Sequence, residues 1–409
     1  MGMEQQITER IKELAAATEE TIIADRRYFH AHPELSSKEV STAGTICARL
    51  ARMGIPYERV AKTGIIATIA GTADDAYDAQ GNPKKRVALR ADIDALPVLE
   101  RTGLPYESKN TGVMHACGHD CHIAMLRCRA HPHADARSDS WRSALIFQPA
   151  EEISIGSRMM IKAGALDGVD GVFGMHIWSE IEAGLISADP GQRMANTDWF
   201  RVDIEGVSAH GSMPHKGVDA VVVAAELVVA LQVLVSRDIS PFEPLVVTVG
   251  EVHGGEARNI MAGSAYLTGT VRTWSKKTRE AMPDRLRHLM TVGQGFGATA
   301  KLTYEAGNAG LSNDKESAER AQESVKKLFE EALADYQGTL AGEDLRIPRA
   351  VQNIRLCCHP KMDAMRSTVA ITALTKASLR KGLCSQHNTR SIFWLNSAAN
   401  GALSAGNDA

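Results

Sequence analysis

Three brief aliphatic runs constrain this chain more than anything else in it. Residues 87–92, 144–148 and 172–177 are mostly apolar, and each empties into side chains that can do chemistry. The first ends at Asp92 and Asp94, the second at Gln148 ahead of Glu151 and Glu152, the third at His176. Apolar runs this short read as strands buried on both faces. Helical stretches at residues 7–27 and 42–53, the second ended by Gly54, lie ahead of them, with a further strand at 65–71. Short buried strands alternating with helices make an α/β sheet, in which ligands gather where strands end.

With 409 residues, the chain is too long for one ordinary core, so two domains are expected. Its character changes after the third run. Residues 199–206 and 244–274 are strand-like, and Tyr266, Thr268, Thr270 and Arg272 alternate with Leu267, Gly269, Val271 and Thr273. That is the period of a half-exposed strand. Helices are predicted at 220–235 and 277–291. An α+β domain at residues 187–304 is therefore expected, with helices on one face of an antiparallel sheet, inserted in a first domain of residues 1–186 and 305–409. A helix at 317–334 returns the chain to that first domain.

Bulk properties exclude several classes of function. A net charge of −3 argues against nucleic acid or an anionic membrane as partner. The apolar run at 220–235 is interrupted by Glu226 and Gln232 and is shorter than the roughly 20 residues that span a bilayer, so it reads as a buried helix. The charged first 20 residues do not resemble a signal peptide, and seven cysteines, an odd number, suggest reduced thiols in a cytoplasmic protein. Two segments fit poorly. Residues 127–142 should be a helix yet lack apolar periodicity, and residues 349–409 hold eight Lys/Arg against two Asp/Glu. The latter reads as a basic tail or, in part, as sequence in a shifted frame.

Residues 114–122 concentrate three imidazoles, two thiols and one carboxylate around Gly118. His and Cys favour zinc and similar borderline metals, and an extended strand would point Cys117 and His119 to one face. A redox thiol or a packed turn remains open for the cluster alone. Glu151 and Glu152 could ligate a metal and hold a water, or form an exposed acidic turn; His176 could be a core histidine. Asp92 and Asp94 could instead lead into a helix, with Asp94 as its N-cap, and Ser208-Ala209-His210-Gly211-Ser212 could be a polar turn. Together, three strand ends deliver Cys117, His119, Glu152 and His176 to one sheet edge. Those four N, O and S ligands suffice for one metal, or for two sharing a bridge.

The blocks Phe29-His30-Ala31-His32-Pro33-Glu34-Leu35, Leu89-Arg90-Ala91-Asp92-Ile93-Asp94-Ala95-Leu96-Pro97, Met114-His115-Ala116-Cys117-Gly118-His119-Asp120, Phe147-Gln148-Pro149-Ala150-Glu151-Glu152 and Gly174-Met175-His176 resemble one family. It is that of the metal-dependent amidohydrolases, including hippurate hydrolase, N-acyl-amino-acid amidohydrolases and plant auxin-conjugate hydrolases, relatives of zinc carboxypeptidases and aminoacylases. The likeness spans residues 25–126 and 144–275. It implies a mixed-sheet, metallopeptidase-like α/β catalytic domain with an inserted α+β dimerisation or lid domain. It also implies two divalent metal ions (Zn, Mn, Co or Ni), held by Cys117 as the bridging thiolate, His119, Glu152 and His176. Glu151 is implied as general base, Asp94 as support for a ligand imidazole, and His210 as the group that steadies the oxyanion. Asn259 and Arg272 match positions that grip a substrate carboxylate. Cys384-Ser385-Gln386-His387-Asn388-Thr389-Arg390 resembles the surroundings of the last ligand, making His387 the fifth, although the Gly-Ser-Glu-Asp-Phe block expected near residues 345–365 is absent. Cys121 and His122 are read as packing.

The expected activity is hydrolysis of N-acyl amino acids by a cytoplasmic homodimer. Alternatives are a dipeptidase or carboxypeptidase of the same build, a metal-binding homologue impaired by its divergent C-terminus, and a thiol redox protein.

Overall fold

The computed structural model describes residues 3–71, 77–81, 83, 85–129, 142–182, 184–329, 331–344 and 355–358, with backbone alone at 3, 4, 7, 128, 129, 142 and 355–358. His387 and residues 130–141 lie outside the described residues. The chain separates into two compact units. One holds Met1–Gly191 and Ser312–Gln337 with the strand Arg355–Cys358, the other Gln192–Leu311 with Gly338–Leu345.

The first unit opens with two helices, α1 (Met3–Ala31) and α2 (Val40–Arg52). The hairpin β1 (Tyr57–Val60) and β2 (Gly64–Ile69) follows, then β3 (Arg86–Asp92), α3 (His119–Arg129), β4 (Arg142–Gln148), α4 (Gly156–Lys162), β5 (Gly171–Ile177) and β6 (Ile186–Ser187). Strand β3 is buried along almost its whole length and β5 nearly so, as strands covered on both faces must be. Strands β4, β3 and β5 run parallel in that order, whereas β2 pairs antiparallel with β4, so the sheet is mixed. All three predicted runs thus lie side by side, and their C-terminal ends fall along one edge. Helix α3 packs on β3 and β5, and α1 packs on α3. One core joins Phe29, Ile46, Leu50, Ile65, Ile93, Ile123, Leu145 and Phe147.

In the second unit, β7 (Asn196–Glu205), α5 (Ala220–Val233), β8 (Leu245–Gly254), β9 (Ser264–Thr273), α6 (Lys276–Leu289) and β10 (Thr299–Ala306) form a four-stranded antiparallel sheet with its helices. Its order is β8-β9-β7-β10, with β8 at an edge. Helix α5 starts at Asp219, whose carboxylate accepts the Val221 N–H at 2.9 Å as an N-cap. The helix is not buried all round. Ala220, Val223, Ala224, Leu227 and Leu231, at helical spacing, face the core, but Val221, Val222, Val229 and Val233 are 45–65% exposed. Among the described residues, only one side of it has a sheet to pack against. With the π turn that follows, Ala220–Asp238 has the length and apolar composition of a membrane span, yet its inner face belongs to this core.

The chain returns to the first unit as α7 (Lys315–Phe329) and β11 (Arg355–Cys358). Strand β11 inserts between β5, parallel to it, and β6, antiparallel to it. The seven-stranded order is β1-β2-β4-β3-β5-β11-β6.

Candidate metal centre

The backbone around residues 117–119 turns rather than extending. Gly118 stands at φ 86, in the left-handed region open to glycine, and His119 is already the first residue of α3. Cys117 and His119 therefore meet across a turn into a helix, not along a strand. Cys117, His119 and Glu152 each offer a ligand atom, all within 4.8 Å of one another, and Cys117 Sγ lies 3.7 Å from His176 Nε2.

His119 is fully buried, and its two ring nitrogens differ. Nδ1 faces the Asp94 carbonyl at 3.0 Å and Asp94 Oδ1 at 3.3 Å. Such partners place the proton on Nδ1 and leave Nε2 as the basic atom. Among the described residues, neither Nε2 nor Glu152 Oε1 has a hydrogen-bond partner that meets ordinary geometry. Around Nε2 stand Asp92 Oδ2 at 3.7 Å, Glu152 Oε1 at 3.8 Å and Glu151 Oε2 at 3.9 Å. These distances are too long for hydrogen bonds but leave room for an ion bonded at about 2 Å to nitrogen and carboxylate ligands. A buried imidazole nitrogen, a carboxylate oxygen and a thiol make a donor set that fits a divalent metal.

Electrostatics agree. Burial works against charge on His119, but Asp92 and Cys117 carry its pKa well above the ordinary histidine value. Burial pushes the Glu152 carboxyl up to about 7, with His119 opposing and Asp94 and Asp92 adding to the rise. Burial also raises the Cys117 thiol. Carboxyl groups of Asp92, Asp94 and Glu152 thus converge on one imidazole, an arrangement that suits a bound cation.

Asp92, His119, His122 and His176 also lie within ligand distance of one another. Two of the four are already committed. Asp92 Oδ1 meets His122 Nδ1, and its Oδ2 accepts from Arg90 Nη1 at 2.8 Å. His122 Nε2 accepts the Ile177 N–H at 3.1 Å. Both nitrogens of His122 are therefore used, and it serves to align β5 with Asp92. Arg90 is itself braced by Gln148 Oε1 at 2.7 Å.

Several residues at the site are given no role by the sequence alone. His30 lies between Asp120 Oδ2, 2.9 Å from Nδ1, and Glu100 Oε1, 3.0 Å from Nε2, and Arg26 Nε reaches the same Asp120 oxygen at 2.8 Å. These contacts hold the first turn of α3, which bears His119. His115 is buried with neither ring nitrogen hydrogen-bonded among the described residues, and burial pushes its pKa down to about 4. His30, His115 and Asp120 fall within blocks that the sequence singles out, whereas Arg26 and Glu100 lie outside them.

The second unit contains the other three candidates. His210 sits on a two-residue strand paired with Ile260–Met261, and its Nδ1 accepts the Ser212 N–H at 3.2 Å. Asn259 is its neighbour, with its carbonyl accepting the Gly211 N–H at 2.8 Å. Arg272 donates to the Thr197 hydroxyl and, among the described residues, forms no ion pair with a carboxylate. It is only partly exposed, and burial lowers its pKa against the pull of Asp198.

The profile of peptidase family M20/M25/M40 matches residues 88–368. N-acetyl-L-cysteine deacetylase of Bacillus subtilis is 38% identical over 330 residues, covering 80% of this chain and 77% of that one. N-acyl-L-amino acid amidohydrolase of Geobacillus stearothermophilus is 39% identical over 303 residues, 73% of this chain and 80% of the relative. Among solved structures, the Bacillus subtilis YXEP protein, described as a dinuclear metal binding peptidase, superimposes with a TM-score of 0.75 at 30% identity, covering 89% of this chain and 99% of that one.

Proposed function

Since the chain belongs to peptidase family M20/M25/M40, we propose that it is a metal-dependent hydrolase of the amide bond in N-acyl amino acids, releasing a carboxylic acid and a free amino acid. The observation that carries this reading is His119 Nε2, buried and ringed by oxygens of Asp92, Glu151 and Glu152 at 3.7, 3.9 and 3.8 Å. Deacetylase and amidohydrolase relatives supply the substrate class.

In this reading Cys117, His119, Glu152 and His176, with His387 as a fifth ligand, would hold two divalent ions. Ions there would polarise the amide carbonyl and acidify a water. Glu151, beside the ligand Glu152 but aimed at the same centre, takes the proton of the attacking water and returns it to the leaving nitrogen. Asp94 keeps His119 in the tautomer that presents Nε2. His210 steadies the tetrahedral oxyanion. Arg272, with no acidic partner of its own among the described residues, and Asn259 grip the substrate carboxylate.

The enzyme is read as a cytoplasmic homodimer. Seven cysteines, an odd number, suit a reducing compartment. The exposed valines of α5 and the edge strand β8 offer an apolar surface and unpaired backbone to a second copy.

Bound metal and release of acid from N-acetyl and N-benzoyl amino acids, measured on one purified sample, test the proposal. Stoichiometric metal with turnover that a chelator abolishes is expected. Metal without hydrolysis of any acyl amino acid would overturn it, and faster cleavage of dipeptides would make it a dipeptidase.

A further inference from the structure

The segment joining α1 to α2 belongs to no sheet strand, yet it touches the site loop from two sides. Leu35 bridges Ala95, and the Ala95 N–H donates to the Glu34 carbonyl at 2.8 Å. Ser36 then donates its hydroxyl to Asp94 Oδ2 at 2.7 Å. Three residues on, Glu39 is fully buried and accepts three hydrogen bonds. Its Oε1 takes the N–H of Ser37 at 2.8 Å and that of Ala150 at 2.9 Å, and its Oε2 takes the Thr63 hydroxyl at 2.7 Å.

Glu39 occupies the N-cap position of α2, where a carboxylate would ordinarily accept from the first turn of its own helix. Its side chain makes no such bond. Glu34 does that work instead, taking the N–H groups of Ser41 at 3.1 Å and Thr42 at 2.7 Å. The Glu39 carboxylate is thereby released to reach a loop far along the chain.

The residue it holds there is under strain. Ala150 stands at φ 53, a left-handed conformation disfavoured for a residue with a Cβ. Such a residue persists only where its surroundings fix it from several directions. Here the Ala150 N–H is held by Glu39, and its carbonyl accepts the Gly156 N–H at 3.0 Å. Glu151 and Glu152 follow immediately, so the dihedral angles of Ala150 decide where both carboxylates emerge.

We propose that Glu39 is a positioning residue for hydrolysis: by pinning left-handed Ala150 it sets the placement of Glu151 and Glu152. The proposal rests on the reading of Glu152 as a ligand and Glu151 as the base. Glu39 touches neither side chain and acts through the backbone, so its reach and its acceptor oxygen matter, not its charge. Glutamine retains the reach, with its oxygen for Ala150 and its amide for the Thr63 hydroxyl. Aspartate retains the charge but is one methylene too short.

Glu39→Gln and Glu39→Asp, each made in the full chain, separate these properties. Zinc affinity is measured by competition with a chromogenic chelator, and kcat and KM on an N-acyl amino acid. Glu39→Asp is expected to weaken zinc binding by about 10- to 100-fold, in line with lost support of a metal ligand, and to lower kcat with KM nearly unchanged. Glu39→Gln is expected to match the wild type closely in both. Wild-type affinity and turnover in Glu39→Asp would overturn the proposal, as would a loss in Glu39→Gln equal to that in Glu39→Asp. A wild-type protein that binds no zinc overturns the reading of the site itself, and the proposal with it.

Discussion

Asp94 holds Glu152 by its backbone: Oδ2 accepts the Glu152 N–H at 3.0 Å, while Oδ1 of the same carboxylate lies 3.3 Å from His119 Nδ1. One buried side chain thus sets the position of one candidate ligand and the tautomer of another. Asp94→Ala leaves the Glu152 N–H and the Ser36 hydroxyl without their acceptor. Metal affinity should fall by about 10- to 100-fold, and loss of the buried acceptor should cost about 1–3 kcal/mol in stability. Isothermal titration with zinc and thermal unfolding of the chelated protein measure the two effects separately.

Glu151→Gln keeps the size and burial of the side chain but cannot take a proton. Its kcat should drop by about 10²- to 10⁴-fold, the usual contribution of a positioned base, while metal content measured by elemental analysis stays at the wild-type level. A fully active variant would remove Glu151 from the mechanism.

Metal uptake should release protons. Burial lifts the Glu152 carboxyl to about 7 in the metal-free protein, so near pH 6 it is protonated and must ionise to become a ligand. Affinity should therefore climb toward neutral pH, by about tenfold per unit for each proton released. Calorimetry in two buffers of different ionisation heat counts those protons, and a count of zero at pH 6 would contradict the assignment.

His30 gives a separate pH signature. Burial disfavours its charge, but hydrogen bonds to Asp120 and Glu100 raise its pKa above the ordinary value. A raised histidine pKa stabilises the folded protein fully below the unfolded value near 6.5, and that stability is lost as pH rises through the folded pKa. Replacing His30 with Asn should therefore lower the melting temperature of metal-free protein more at pH 6 than at pH 9. Equal losses at both values would mean that the imidazole is neutral in the fold.

Gly156 closes the loop that carries the two glutamates. A Cβ on it would meet the Pro149 carbonyl oxygen at 1.7 Å, a clash with backbone that cannot swing aside. Gly156→Ala should cost about 1–3 kcal/mol through overpacking and weaken metal binding as the loop shifts. Denaturant unfolding and zinc titration are the checks.

The strands that build the site were legible because buried parallel strands must be short and aliphatic, and β3, β4 and β5 sit within two residues of the runs that announce them. Asp92, Glu152 and His176 follow from that, since each terminates such a run or closely follows it. Local backbone was harder to read. Residues 117–119 bend because Gly118 adopts φ 86, and alternation along the sequence carries no information about that choice. Glu39 and Ser36 escaped for a different reason: they act through a backbone N–H and through another carboxylate, neither of which leaves a pattern of residue types. The exposed valines of α5 had the composition of a core helix, and composition alone cannot say how many sides of a helix are covered.

The position of β11 has a bearing on how the protein is made. It lies between β5 and β6, although its residues follow the whole of the second unit in sequence. While the chain emerges from the ribosome, β5 presents an open edge beside His176 until residue 358 has been added. Parallel pairing across so long a separation is slow, and open edges recruit strands from other molecules. The first unit is therefore the later of the two to close its sheet in the nascent protein, even though most of it is synthesised first.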